Sequence, residues 1–196
     1  MGPVMRIRQW LLFAVVACST GCGSVSGLKH DPDATLRIAD YRRIEVLDFS
    51  ASGGQKFADP AKQADYDASL AEAQRKFADK IADALTATGA FAEVSRQSLS
   101  GQALRVSGDI TRYDEGNIVA RGLTGFAGQT HFEATVTIVD ATTGQAIARI
   151  DVDRNSWPLP IATAASTLQT TNYFMDNAAK KVADELLAAC KCKPAG

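Results

Sequence analysis

Long apolar runs, basic clusters and histidine are what this sequence has least of. Its longest apolar stretch, Trp10–Ala17, falls far short of the roughly 20 residues that cross a bilayer as a helix, so no lasting transmembrane span is expected. The 21 Lys and Arg are scattered among 22 Asp and Glu without a basic run or basic-aromatic stripe, so the footprint of a nucleic-acid binder is missing. Histidine occurs only at His30 and His131, and no serine sits in a Gly-x-Ser-x-Gly elbow. That removes the usual routes to a Ser-His-Asp or Cys-His hydrolase. The four cysteines include no Cys-x-x-Cys redox pair.

What is present is an ordinary globular composition, 46% apolar and 22% charged, in 196 residues. That length supports one domain with a real core and excludes disorder of the whole chain. The N-terminus reads as an export signal: basic Arg6 and Arg8, the apolar run, then small residues before a cysteine. A cysteine at this place is the mark of a bacterial lipoprotein signal, and two compete. Cys18 has the better aliphatic residue upstream, whereas Cys22 leaves a longer apolar region and an even pair of remaining thiols, Cys190 and Cys192. Parity favours Cys22, with Cys18 as the alternative. Removing the two arginines takes the formal net charge from −1 to −3. Neither Ser19 nor Gly23, the residues after the two candidates, is aspartate, which by analogy with Gram-negative sorting favours the outer membrane, facing the periplasm. Acyl chains there would hold the protein firmly to one leaflet.

The expected organisation is a signal over 1–22, a tether over 23–40, one domain over 41–190 and a tail over 191–196. The tether carries Gly, Ser, Pro and Asp without a period, and His30-Asp31-Pro32-Asp33 within it could not hold a preformed metal geometry. Tyr41–Phe49 reads as a strand. Asp59-Pro60 is a cap and first turn for a helix whose stripe is Tyr66, Leu70, Ala73, Phe77, Ile81 and Leu85, ended by Gly89. A short strand follows at Phe91–Ser95. Ala103–Tyr113 alternates Leu104, Val106, Gly108, Ile110 and Arg112 on one face, and the interior Gly108 marks a bulge or a close backbone approach.

After the Asp114–Gly116 turn and a glycine-rich connection, Thr130–Asp140 alternates Phe132, Ala134, Val136 and Ile138 against His131, Glu133, Thr135 and Thr137, a sheet with one wet face. Asp140–Gly144 is a turn and Gln145–Asp153 the returning strand. Trp157–Pro160 breaks the pattern. A last helix from about Asn172 to Cys190 buries Phe174, Ala178, Val182, Leu186 and Ala189. The fold expected is α+β: a mostly antiparallel sheet in the order β-α-β-β-β-β-α, with two helices packed on one face.

The glycine-rich loop invites a phosphate-cradle reading but lies between two strands, whereas phosphate loops open a helix. Arg121 is its one side chain able to clamp an anion bidentately, or it pairs with Asp114, Glu115 or Asp140. Cys190-x-Cys192 is a candidate disulfide, or a bridge to another chain.

Tyr41, Ile44, Val46, Asp48 and Phe49, then Gly89, Phe91 and Val94, then Gly108, Ile110, Tyr113 and Gly116, then Arg121, Gly125 and Gly128, and lastly Val139, Asp140 and Gly144 form an ordered set of motifs. The set resembles a family of uncharacterised bacterial lipoproteins, a domain of unknown function (DUF4410), over nearly all of Tyr41 to about Leu187. The resemblance implies a location and a domain extent, and no catalytic residue. The expected function is a membrane-tethered, non-enzymatic binding or accessory module for a partner protein or envelope polymer, with no cofactor or metal. Its candidate contact surface is Tyr113, Arg121, Gly125, Gly128 and His131. The alternatives are a small-anion module built on the loop and Arg121, or an envelope hydrolase built on carboxylates, which can come from anywhere in the fold.

Overall fold

The computed structural model describes residues 23–116, 129–155 and 170–192. Their strands are β1 (Gly23–Val25), β2 (Lys29–His30), β3 (Arg43–Val46), β4 (Ser50–Ala51), β5 (Glu93–Ser95), β6 (Leu104–Asp114), β7 (His131–Asp140) and β8 (Ala146–Asn155). The helices are α1 (Pro60–Ala87) and α2 (Thr171–Cys190), with a 3-10 turn at Ile38–Asp40. One sheet runs β1-β8-β7-β6-β3-β5, with β2 also on β8 and β4 also on β6. β3 pairs parallel with β5 and β6, and β4 parallel with β6; the long β6-β7-β8 meander is antiparallel. The domain order from β3 onward is the expected α+β one, with the two-residue β4 added.

Both helices form where their caps and stripes place them. Asp59 accepts from Ala61 N at 2.9 Å, Pro60 fills the first turn, and Gly89 adopts φ 61° just past the end. α1 buries Ala73, Phe77, Ala78, Ile81, Ala82 and Leu85. α2 buries Phe174, Met175, Ala178, Ala179, Val182, Ala183, Leu186 and Cys190. The alanines in both stripes let the helices sit close to each other and to the sheet. Phe77 is the hub, its ring 4.8 Å from Phe49 and 4.9 Å edge-on to Phe132.

β7 alternates without a break, Phe132, Ala134, Val136, Ile138 and Asp140 buried beneath the helices and the odd positions on the other face. β6 does not keep its period. Ile110 opposes Ala134 while Arg112 opposes Glu133, so Thr111 is an extra residue in the ladder. Arg112 therefore lies on the face opposite Ile110, not beside it as simple alternation expects, and Tyr113 swings into the core at 3% exposure. Gly53 lies against this bulge: Ser52 N and Gly53 N each donate to Ile110 O at 3.2 Å, and a Cβ on Gly53 would stand 1.6 Å from Thr111 O. The interior Gly108 answers to close approach, since a Cβ there would be 1.9 Å from Thr135 O and 2.7 Å from the Phe49 ring.

The segment 23–40, expected to be a tether, is built into the sheet. β1 and β2 lie along β8, Ser26 N donates to Asp151 O at 2.8 Å, Leu28 N to Glu185 Oε2 at 3.0 Å, and Ile38 is buried. Strands of two or three residues leave no period to detect, and the free edge of β8 supplies the hydrogen bonds that hold them. Asp31 accepts from Asp33 N in a local turn, and His30 is exposed.

Candidate functional site: the open sheet face

Since α1 and α2 cover one face, the odd positions of β7 and their neighbours form a second, polar face. Down it, His131 stands between Asp114 and Asn155, Glu133 between Arg112 and Asp153, Thr135 between Asp109 and Asp151, and Thr137 between Ser107 and Arg149. Cross-strand neighbours on one face lie within reach of each other; acidic side chains outnumber basic ones here, and Glu133 faces the like-charged Asp153. Arg112 Nη1 is 3.6 Å and His131 Nε2 3.7 Å from the same Glu133 Oε1; Arg149 and Lys29 hold Asp151 at 2.6 and 2.9 Å. The Arg149 bond, with Lys29 adding to it, holds the Asp151 carboxyl below its ordinary pKa. Ser50 and Ser52 both donate to Asp109.

At the β3 end this face is closed over. Glu45 is fully buried, accepting from Arg105 Nε at 2.5 Å and from Leu99 N at 2.5 Å. Arg96 reaches the other way, to Asp79 on α1, to Asp48 and to the carbonyl of Val46. These are structural pairings, because each charge is used by a neighbour.

Of the residues expected at the contact surface, His131 is on the open face, partly exposed. Tyr113 is not: the Thr111 bulge sends it into the core. Its hydroxyl lies 2.6 Å from Glu115 Oε1 and 3.1 Å from Ser69 Oγ, and burial, reinforced by Glu115, pushes its pKa up. Arg121, Gly125, Gly128, Cys18 and Cys22 lie outside the described residues. Of Arg121's expected acidic partners, Asp140 is engaged already by Tyr41 and by Thr142 and Thr143 in its own turn. Cys190 and Cys192 are bonded to each other, and Cys190 is buried.

Sequence reasoning missed one grouping. His131, Glu133 and Asp153 each present a ligand atom within 4.8 Å of the others. His131 and Glu133 are two apart on one strand, a visible signal, but Asp153 joins them only through the β7-β8 register. A nitrogen and two carboxylates suit a divalent cation. Arg112 already occupies Glu133, however, so a metal would have to displace an ion pair. Among the described residues His131 makes its side-chain polar contact to Glu133. A groove of about 300 Å³ between the helices is spanned by the Lys80-Asp176 ion pair and lined otherwise by alanines and surface charges. No helix among the described residues is long and apolar enough to cross a membrane.

The family model "Domain of unknown function (DUF4410)" matches residues 43–160. The chain belongs to this family. No curated protein matches the sequence. Among solved structures the chain is similar to the PelC dodecamer from Paraburkholderia phytofirmans, at 12% identity and TM-score 0.42, over 81% of this chain and 97% of that one. It is also similar to a DUF330 protein from Xanthomonas campestris, at 12% identity and TM-score 0.46, over 77% and 86%. A provisionally assigned lipoprotein from Caulobacter crescentus CB15 matches at 17% identity and TM-score 0.38, over 74% and 91%. Likeness at this level carries no argument about what the DUF4410 domain does.

Proposed function

We propose that this DUF4410 protein is an envelope lipoprotein, anchored through Cys22 in the outer membrane, whose domain is a non-enzymatic binding or accessory module. The observation that carries the reading is the open face of the β6-β7-β8 meander. Its polar and charged side chains on a hydrogen-bonded ladder are backed by a packed core, and no helix of the described residues lies over it. A rigid face of this kind holds a partner with little ordering cost, and paired charges set register more than raw affinity. The N-terminal apolar run ending at a cysteine supports the anchoring. The partner class is an envelope protein or polymer.

The test is a photo-crosslinking residue at Thr135 or Thr137 in the full-length protein in intact cells, with exposed Lys76 on α1 as the comparison. Adducts to one envelope protein or polymer from the β7 positions and not from Lys76 are expected. Identical adducts from both surfaces, or none from β7, would remove the reading.

A further inference from the structure

We propose that one end of the sheet, bearing Gly23, Asp114–Gly116, His131 and Asn155, is the surface that docks on the lipid headgroups. The domain then stands on the leaflet in one fixed orientation. This rests on the reading that Cys22 carries the lipid.

The N-terminal segment outside the described residues ends at residue 22, and the sheet begins at once. Gly23 opposes Arg154, Ser24 opposes Asp153 and Val25 opposes Val152. Consecutive Cα atoms are about 3.8 Å apart, so a lipid-bearing Cys22 stands one residue from a hydrogen-bonded strand. β1 has no slack further on. Asp151 N donates to Ser26 Oγ at 2.9 Å and Ser26 N to Asp151 O at 2.8 Å, and Leu28 N is tied to Glu185 at 3.0 Å. The acyl chains and the end of β8 therefore occupy the same place.

The fold carries that constraint across the sheet. Asn155 opposes His131, and His131 opposes Asp114, so the ends of β8, β7 and β6 line up beside Gly23. With strands about 4.8 Å apart, Asp114 lies on the order of 15 Å from the anchor. The start of α2 belongs to this end too, because Thr171 and Asn172 share a surface pocket with Tyr113 and Glu115. The Asp140–Gly144 turn is at the other end of β8, a ten-residue strand and so about 34 Å away.

Charge is not what holds the domain there. Among the described residues of this end, Asp114, Glu115, Glu133 and Asp153 outnumber Arg112 and Arg154, so they carry no excess of positive charge to seek anionic lipid. Docking comes from the short covalent link. Orientation is therefore insensitive to salt and to the anionic fraction of the membrane. A lipid on Cys18 would instead add four residues, up to about 14 Å of extended chain, and free the domain to turn.

The experiment uses the full-length lipidated protein in phosphatidylethanolamine-phosphatidylglycerol vesicles. A small fluorescent residue replaces Asn172 or Thr142, both exposed, and an acceptor is carried on the lipid headgroups. Energy transfer several-fold stronger from position 172 than from 142 is expected, unchanged between low and high salt. Inserting about twelve Gly and Ser residues between Cys22 and Gly23 should abolish the difference, because such a linker behaves as a flexible coil. The mass of the mature N-terminus is measured on the same preparation. Lipid on Cys22 with equal or reversed transfer overturns the orientation alone. Lipid on Cys18, or none, overturns the anchoring and the orientation with it.

Discussion

Tyr41 and Asp140, 99 residues apart and both buried, are joined by a 2.6 Å hydrogen bond from the phenol to Asp140 Oδ2. The other carboxylate oxygen accepts from Thr142 N, Thr143 N and Thr143 Oγ1 in the β7-β8 turn. The bond thus ties the entry to β3 to the far end of the meander. Tyr41→Phe removes a donor to a charged acceptor, worth about 1.5–3 kcal/mol. Urea denaturation of the variant should show a loss in that range, and an unchanged midpoint would deny the bond a structural role.

The same carboxylate sets an acid limb. The Tyr41 bond, then the Thr143 amide, hold the Asp140 pKa below its ordinary value. A depressed folded pKa means its contribution is full above the unfolded value of about 3.9 and is lost as pH falls through the folded one. Asp140→Asn should therefore lower stability at neutral pH and flatten its fall below about pH 4. Thermal melts from pH 2 to pH 7 read this directly, and parallel curves for the two proteins would contradict it.

Gly108 and Gly53 have no room for a side chain. A Cβ on Gly108 would meet the Thr135 carbonyl and the Phe49 ring, and one on Gly53 the Thr111 carbonyl. The obstacles are mostly backbone and cannot rotate away. Gly108→Ala should cost about 3 kcal/mol or more, beyond ordinary overpacking. Gly144→Ala, where no atom lies within 4 Å but φ is 73°, should cost only about 1–2 kcal/mol of backbone strain. Equal losses at the two sites would refute the packing explanation.

Glu45 is buried beside the partly exposed Arg105. Arg105→Met leaves an uncompensated carboxylate, held only by Leu99 N, and should cost about 3 kcal/mol. Glu45→Gln keeps an acceptor and removes the charge, so its loss should be smaller. The ordering of the two midpoints is the measurement.

The Cys190-Cys192 bond closes a very short loop. Loop-closure entropy then gives it under about 2 kcal/mol. Non-reducing electrophoresis should show a monomer, mass measurement should find neither Cys190 nor Cys192 free, and reductant should shift the denaturation midpoint only slightly. A covalent dimer would reassign both cysteines to an intermolecular bridge.

Whatever repeats locally was legible in the residues alone. The α1 and α2 stripes, the Asp59-Pro60 start, the Gly89 stop and the period of β7 follow from short-range spacing, and the fold order followed from them. His131 on a polar face was legible for the same reason. What had no local signature was decided across strands. The Thr111 bulge exists only as an offset between β6 and β7, and it exchanged the faces of Arg112 and Tyr113. Residues 23–40 carry no period, yet the free edge of β8 gives them hydrogen bonds and β1 a place in the sheet. Asp153 meets His131 and Glu133, and Tyr41 meets Asp140, because pairing register and tertiary packing bring distant residues to one place. Sequence by itself determined which residues prefer helix, strand or turn, since those preferences are local; only the tertiary structure decided which of them share a face, because that is set by partners far along the chain.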